Sequence, residues 1–235
     1  MGAYQSLVLA TSGLVAYWPL NETSGTTANE LVAGRNGTYT GTVTLGAAGS
    51  VKGEGTGVTF AQNAYVAVPT NAALHPGDTI SIECWTKRDQ IVTGGVWQCF
   101  YDPAANEGNF GFQSSNQLMI RKDSVAFVTQ STASYTDITN WHHYVFTKNG
   151  ATWAIYIDGV AIALTDVGNQ TLVASSADLK LLADSAGNES VVGTSQCYAL
   201  YNVALSAATV QAHYVRGTTL QTSRDPWGMN GFFGT

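Results

Sequence analysis

Short β-prone segments, each ended by a turn signal, recur about every ten residues along this chain. Residues 14–20 form an apolar segment that ends at the polar run 21–25, and residues 64–68 stop at Pro69. The series continues through 79–87, 91–101, 110–113, 118–121 and 125–129. Many short strands with Gly, Asn, Asp and Ser turns are typical of a β-sandwich or barrel, so the chain is predicted to be all-β.

The segment 141–160 predicts a β-hairpin. Asn149 and Gly150 lie between two β-prone runs, and Asn-Gly is typical of a two-residue type I′ loop because both central residues of that turn need positive φ. A second turn is predicted at Asp158 and Gly159, which is consistent with a meander. The first loop predicts three cross-strand pairs: Phe146 with Trp153, Tyr144 with Ile155, and His142 with Ile157.

The two faces of this hairpin are predicted to differ in character. Because side chains alternate between the faces of a strand, His143 and Tyr156 lie together on one face. We expect the other face to belong to the core. Its side chains are Tyr144, Phe146, Trp153, Ile155 and Ile157.

Composition limits the number of helices. Only 11% of the residues are charged, against about a quarter in a typical protein, so exposed helix faces lack their usual side chains. One short helix is predicted at 207–215, where Ser206 can act as the N-cap and Gly217 as the C-terminal stop. Its apolar stripe consists of Leu205, Val210 and Tyr214.

The length of 235 residues suits a single β-sandwich domain. The predicted organisation has three parts along the chain. They are an N-terminal arm at 1–12, the sandwich domain at 13–217 and an extended C-terminal tail at 218–235.

Charge and the pattern of metal-binding residue types exclude several classes of protein. Ten basic against sixteen acidic residues give a net charge of −6, which lacks the positive surface of a nucleic-acid binder. No apolar run reaches the ~20 residues that span a bilayer, and no basic residue precedes the apolar start as in a secretory signal.

Cys84, Cys99 and Cys197 are odd in number and widely spaced, which predicts three reduced thiols rather than disulfides. His142 and His143 point to opposite strand faces, so we expect no metal site there.

A glycosidase needs two carboxylates about 5–10 Å apart. Glu83 is the one acid on a predicted strand in a suitable position. Its face also carries Ser81, Trp85 and Lys87 but no second acid, and we expect Lys87 to keep Glu83 ionised. The sequence therefore predicts a protein without catalytic residues.

Four side chains form a candidate glycan-binding patch. By the period-two count, Glu83, Trp85, His143 and Tyr156 all lie away from the core face. Aromatic rings stack on sugar faces while polar neighbours fix the orientation of the sugar, so this patch offers suitable chemistry. The alternative is that Trp85 packs against an adjacent strand or loop.

The C-terminal tail carries large apolar side chains in a glycine-rich context. Trp227, Met229, Phe232 and Phe233 each gain ~1.5–3 kcal/mol on burial, so we expect the tail to bind a protein surface. That surface is either the chain's own sandwich or a neighbouring subunit. In the second case the four side chains form an assembly interface.

Several ordered blocks of the sequence resemble laminin-G-like, concanavalin A-like jelly-roll domains. The opening of such domains is similar to residues 16–28 (AYWPLNETSGTTA) and 36–41 (NGTYTG). Three further blocks follow in the family's order: 79–87 (TISIECWTK), 141–145 (WHHYV) with 156–159 (YIDG), and 200–208 (LYNVALSAA). The resemblance implies a two-sheet antiparallel jelly-roll sandwich. Residues 195–198 (SQCY) depart from it, because such domains usually carry an acidic pair there.

The resemblance also implies a range of functions. Such domains bind glycans or protein partners through a concave face or rim loops, often with a structural calcium ion, and the same fold serves lectins, hydrolases and virion proteins. A lectin-like domain without a secretion signal or disulfides fits a bacteriophage virion protein that is made in the host cytoplasm. Our first hypothesis is a non-catalytic capsid decoration or tail component. Its partners would be other virion proteins, further copies of itself and host-surface glycans. The alternatives are a soluble carbohydrate-binding module and, third, a glycoside hydrolase.

Overall fold

Strands dominate the computed structural model, which describes residues 1–93, 97–103, 108–122, 126–166, 168 and 170–219. Two α-helices, α1 (Ala3–Leu9) and α2 (Ala207–Thr218), and a 3-10 turn (Ala72–Leu74) accompany them in this part of the chain. The strands are β1 (Leu14–Trp18), β2 (Thr27–Ala28), β3 (Gly37–Thr40), β4 (Val43–Ala48), β5 (Thr56–Phe60), β6 (Tyr65–Val68), β7 (Thr79–Arg88), β8 (Gln98–Tyr101), β9 (Asn109–Phe112), β10 (Leu118–Lys122), β11 (Ala126–Ser131), β12 (His142–Asn149), β13 (Thr152–Ile157), β14 (Val160–Ala161), β15 (Leu164–Asp166), β16 (Leu179–Leu181) and β17 (Gly193–Tyr201).

The strands of the described residues form three antiparallel sheets. The main sheet has the order β14-β13-β12-β7-β17-β5-β4, and β1 also pairs with β17. A five-stranded sheet has the order β15-β11-β10-β9-β8, and a four-stranded sheet has the order β16-β6-β3-β2. Both smaller sheets contribute to one core with the main sheet, which confirms the predicted all-β sandwich.

Aromatic side chains join the layers of this core. The ring centroid of Phe100 in β8 lies 5.3 Å from that of Tyr144 and 5.6 Å from that of Phe146, both in β12. Tyr39 of β3 lies 6.2 Å from Phe60 of β5. One face of the main sheet therefore packs against the two smaller sheets and forms one side of the sandwich core.

The predicted core face of the β12–β13 hairpin is confirmed, but its predicted register is wrong. Asn149 pairs with Thr152, so the loop is Gly150-Ala151 rather than Asn149-Gly150. Asn149 also pairs with Thr79 of β7, which keeps it in the strand, and only Gly150 of the two loop residues has positive φ, at +57°. The shift in register is even, so it leaves every side chain on its predicted face. The pairs are Tyr144 with Ile157, Phe146 with Ile155, and Lys148 with Trp153.

The turn predicted after β13 at Asp158 and Gly159 is confirmed. Ile157 pairs with Val160 across the two-residue loop Asp158-Gly159. Both loop residues have positive φ, at +52° and +78°, as a type I′ turn requires.

Helix α2 begins as predicted and ends later. The Ser206 side chain accepts a hydrogen bond from the backbone N–H of Thr209, so the predicted N-cap is confirmed. Gly217 lies inside the helix, which ends at Thr218, so the predicted C-terminal stop is wrong. Packing explains the glycine, since a Cβ there would lie 2.3 Å from Cζ2 of Trp85.

The predicted N-terminal arm contains a helix that sequence reasoning missed. Tyr4 and Val8 of α1 are one helical turn apart, and both are fully buried against the outer face of the main sheet. Together with Val210 of α2 they cover Val145 and Tyr156 in a second apolar cluster. No helix of the described residues is long and apolar enough to cross a membrane.

Candidate functional site

Glu83 is the centre of a buried hydrogen-bond cluster on the outer face of the main sheet. Its Oε1 accepts the hydroxyl of Tyr4 at 2.6 Å and lies 2.8 Å from Nε2 of His143. Its Oε2 accepts the hydroxyl of Tyr201 at 2.7 Å, and Nδ1 of His213 is 2.9 Å from both oxygens. These five buried residues, here named the Glu83 cluster, come from β7, α1, β12, β17 and α2.

The hydrogen bonds of His213 define its protonation. Its Nδ1 faces the Glu83 carboxylate, which can only accept. Its Nε2 lies 3.0 Å from the hydroxyl oxygen of Thr11, and that hydroxyl donates its proton to the carbonyl of Leu7 at 2.9 Å. When the Thr11 proton is on Leu7, both ring nitrogens of His213 donate, and the ring is then an imidazolium paired with a buried carboxylate.

The electrostatics of the Glu83 cluster agree with this assignment. Burial acts to raise the pKa of Glu83, but the charge of His213 and the hydrogen bonds from both histidines hold it well below its usual range. Burial acts to lower the pKa of His213, and Glu83 raises it above its usual value. Burial and the nearby Glu83 charge raise the phenol pKa values of Tyr4 and Tyr201, so both remain donors.

The four residues of the candidate glycan patch do share one face, but that face is covered. His143 pairs with Trp85, while Glu83 and Tyr156 both pair with Val145. All four side chains are buried, because α1 and α2 lie over them. The expectation of an open patch is therefore wrong in this conformation.

Trp85 packs in a stack of rings beneath helix α2. Its ring centroid lies 4.8 Å from that of His143 and 5.8 Å from that of Tyr214. The alternative that Trp85 packs against an adjacent strand fits this geometry, since His143 belongs to the neighbouring strand β12, and Tyr214 of α2 is a further partner.

Lys87 is not the partner of Glu83. The Lys87 ammonium lies 3.5 Å from Oδ1 of Asp89, and both side chains are partly exposed. The residues that keep Glu83 ionised are the donors of the Glu83 cluster. Tyr4, Tyr201 and His213 had not been identified from the sequence as its partners, since they are separated from Glu83 by 79, 118 and 130 positions.

A small open pocket lies where β12 begins, at the end of the sandwich. Its volume is about 180 Å³. We name it the His142 pocket, and it is lined by Ser134, Tyr135, Thr136, Asp137, His142, Tyr144 and Ile157. The side chains of Ser134, Thr136 and Asp137 are exposed, while Tyr135 and His142 are half-buried.

Two carboxylates hold His142 in place. Its Nδ1 lies 2.8 Å from Oδ2 of Asp158, and its Nε2 lies 3.3 Å from Oδ2 of Asp137. The hydrogen bond with Asp158 is the main cause that raises the pKa of His142, and Asp137 acts in the same direction. Asp158 also accepts the backbone N–H of His143, which fixes the start of β12.

The backbone of Tyr135 is held on both sides. Its N–H donates to the carbonyl of Asn116 at 2.8 Å, and its carbonyl accepts the guanidinium of Arg88. Arg88 is buried, with its guanidinium carbon 3.7 Å from the ring centroid of Phe112. The pocket is therefore lined by an aromatic side chain, hydroxyl groups and a carboxylate, and the backbone of Tyr135 is hydrogen-bonded on both sides.

The scattered acids that were considered as calcium ligands have other partners. Glu30 accepts four backbone N–H groups, and Glu22 accepts from Asn29 and from the hydroxyl of Tyr39. Asp78 pairs with Lys148, and Asp158 pairs with His142. Among the described residues no three His, Cys, Asp or Glu side chains converge as metal ligands, so we assign no calcium site.

Cys84, Cys99 and Cys197 are free and buried, as expected for reduced thiols. The predicted assembly residues Trp227, Met229, Phe232 and Phe233 lie outside the described residues.

The fold is similar to that of several solved structures. A Trypanosoma rangeli sialidase in complex with the inhibitor DANA aligns with a TM-score of 0.62 at 12% identity, over 88% of this chain and 33% of that one. Domain 4 of AbnA, a GH43 extracellular arabinanase from Geobacillus stearothermophilus, in complex with arabinotriose, aligns at 0.62 and 15% identity, over 86% of this chain and 98% of that one. The binding domain of Paraclostridial Mosquitocidal Protein 1 aligns at 0.64 and 12% identity, over 86% and 52% of the two chains.

These similarities concern the fold alone, because every identity is low. This chain spans about a third of the sialidase, whereas it matches nearly all of the arabinanase domain. A comparison with curated protein sequences finds no significant match. The Laminin_G_3 family model, described as the concanavalin A-like lectin/glucanases superfamily, matches residues 60–211, which is more than half of the chain. The chain therefore belongs to the concanavalin A-like lectin/glucanase superfamily.

Proposed function

We propose that this protein is a non-catalytic carbohydrate-binding module and that it binds sugar in the His142 pocket. The observation that carries the proposal is the pocket itself, which combines the Tyr135 ring with hydroxyl and carboxylate groups on a lectin-type fold. A sugar ring stacks on an aromatic face, and its hydroxyl groups donate to carboxylates and exchange hydrogen bonds with hydroxyls. The arabinotriose complex of the similar arabinanase domain supports the same class of ligand.

The size of the pocket limits the ligand. A volume of about 180 Å³ is smaller than the ~300–1,000 Å³ of sites for drug-sized ligands, so we expect one sugar ring to be bound. At ~0.3 kcal/mol per non-hydrogen atom, a single hexose gains about 4 kcal/mol, which corresponds to a Kd near 1 mM. The ordered backbone of Tyr135 favours binding because little motion is lost.

The proposal that the module is non-catalytic rests on Glu83. This acid is the one that strand position suggested for catalysis, and it is buried with both oxygens bound to protein donors. A glycosidase acid must reach the scissile bond, which Glu83 does not in this conformation.

Tyr135→Ala is the first test of the proposed function. We expect it to weaken binding of the best sugar from a panel of neutral mono- and oligosaccharides by at least about tenfold, because the stacking surface is lost. The backbone bonds of residue 135 remain, so the loop should keep its shape. Binding is measured by calorimetric or NMR titration.

Tyr65→Ala is the matched control for this test. Tyr65 is also half-buried but lies in β6 of the four-stranded sheet, so its loss should leave the sugar affinity unchanged. The proposal fails if no sugar of the panel binds, or if Tyr135→Ala and Tyr65→Ala affect the affinity equally.

A second candidate function is that of a bacteriophage virion component, as capsid decoration or tail protein, with glycan binding as its adhesive activity. Three buried free thiols support it, since such cysteines suit folding and assembly in a reducing cytoplasm. Its partners would be other virion proteins and further copies of this chain. The test is whether the protein sediments with DNA-containing particles from cells that carry its gene, and recovery only outside such particles would contradict it.

A further inference from the structure

A groove of about 610 Å³ runs between helices α1 and α2 on the exterior of the molecule. Leu7 of α1 forms one side. The other side is formed by α2 and its C-cap, with the small or apolar residues Ala208, Ala212 and Val215 beside Gln211, Arg216 and Thr219. Val215 is 46% exposed, although it is a large apolar residue. We name this feature the α1–α2 groove, and it shares no lining residue with the His142 pocket.

The chain itself supplies an apolar segment next to this groove. Thr219 lines the groove and is followed by sixteen further residues, 220–235, which lie outside the described residues. Their sequence has one basic and one acidic residue, so it carries no net charge. It also has five large apolar side chains, which burial favours: Leu220, Trp227, Met229, Phe232 and Phe233.

We propose that the α1–α2 groove is the docking surface for the C-terminal residues 227–233 of the same chain. Residues 220–226 can span up to ~25 Å when extended, whereas α2 with its 12 residues is ~18 Å long. Trp227 is therefore able to reach any point along the groove. This inference does not depend on the proposed sugar site.

As the occupant of the groove, the C-terminal segment of the same chain is favoured over that of a second copy, because it is covalently linked to α2. A segment joined through a short linker has an effective concentration in the millimolar range, about a hundredfold or more above the micromolar concentration of free partner chains. The tethered segment should therefore occupy the groove first. A neighbouring subunit would gain access only at high protein concentration.

The test uses a thiol placed in the groove by Ala212→Cys in the full-length chain. The three natural thiols are buried, so maleimide should report on the new one. We expect labelling to be at least about tenfold slower than in the same protein that also carries Trp227→Ser, Phe232→Ser and Phe233→Ser. The slower rate should not change between about 1 and 100 μM protein, because docking is intramolecular.

Val173→Cys is the control, since Val173 is 55% exposed in a loop outside the groove and should label at one rate in both backgrounds. Equal labelling of the groove thiol in both backgrounds would overturn the proposal. Protection that appears only at high concentration, together with a dimer on size exclusion, would also overturn it and assign the groove to a second copy. If Ala212→Cys does not fold, Ala208→Cys provides the same measurement one turn away.

Discussion

At the residue scale, Glu83 decides how the outer face of the main sheet is organised. Its carboxylate receives donors from both helices and two neighbouring strands, so one buried charge joins four elements to β7. A buried charge is tolerated only when it is paired and hydrogen-bonded. The Glu83 cluster is therefore a structural device that anchors α1 and α2 to the sheet.

Glu83→Gln should destabilise the protein by about 3–5 kcal/mol, because it leaves the His213 imidazolium buried without its counter-charge. Urea unfolding followed by tryptophan fluorescence gives the change in the free energy of unfolding. Asp89→Asn is the control, since this exposed acid pairs only with the partly exposed Lys87 among the contacts described, and we expect a change under about 0.5 kcal/mol. Equal effects of the two substitutions would contradict the role of Glu83.

The pH dependence of stability follows from the same pair. Glu83 has a lowered pKa when folded, so its contribution is present above about pH 4.3 and is lost as pH falls through the folded value. His213 has a raised pKa, so its contribution is complete below about pH 6.5 and is lost as pH rises through the folded value. We expect wild-type stability to exceed that of His213→Gln most at pH 5.5–6.5. Urea midpoints between pH 5.5 and 9 check this, and a constant difference across that range would be inconsistent with the assigned ion pair.

Most of the partners of Glu83 could not be predicted from the sequence. Strand periodicity placed Glu83, Trp85, His143 and Tyr156 on one face, because alternation is a local property. The cover over that face comes from Tyr4 and His213, which are distant in sequence from Glu83. Lys87 was chosen as the partner because it is near in sequence, although tertiary packing brings other donors closer.

At the scale of elements, helix α2 depends on a close approach that only glycine permits. The absent Cβ of Gly217 would lie 2.3 Å from the Trp85 ring. Gly217 was predicted to end the helix because glycine is common at that position, but the packing against Trp85 is the stronger reason for its presence.

Gly217→Ala should therefore destabilise the protein by about 1–3 kcal/mol, even though alanine favours helices by about 1 kcal/mol over glycine. Thr218→Ala, at the next and exposed position, is the control and should change the stability by less than about 0.5 kcal/mol. Thermal or urea unfolding measures both variants. A stabilised Gly217→Ala would mean that α2 does not pack on Trp85 as described.

The sequence predicts two turns in the segment 141–160, of which one forms at the predicted residues and the other is shifted along the chain. The turn predicted at Asp158-Gly159 forms, with positive φ at both residues. Asn149 has the same local signal, but its pairing with Thr79 and the bond from the Thr79 hydroxyl to its side chain at 3.1 Å keep it in β12. Pairing with a third strand thus overrides the local preference of a hairpin loop.

At the scale of the whole molecule, the sandwich and its core were predictable, whereas the proposed binding pocket was not. The alternation of apolar and polar residues and the spacing of turn residues depend only on residues close in sequence. They therefore indicate directly where the strands lie and which side chains share a strand face. The His142 pocket instead needs the loop with Tyr135 and Asp137, the turn at Asp158 and the buried Arg88, which meet only in the folded protein. The proposed sugar site therefore lies at the His142 pocket rather than on the covered sheet face.

The most direct measurement of the central claim is to map a bound sugar on the folded protein by ¹H–¹⁵N NMR titration. We predict that the best-binding sugar shifts the backbone signals of Ser134, Tyr135, Thr136, Asp137 and His142 most strongly, while those of the Glu83 cluster stay in place. Shifts centred on Trp85 and Tyr156, or the absence of any shift with the whole panel, would contradict it.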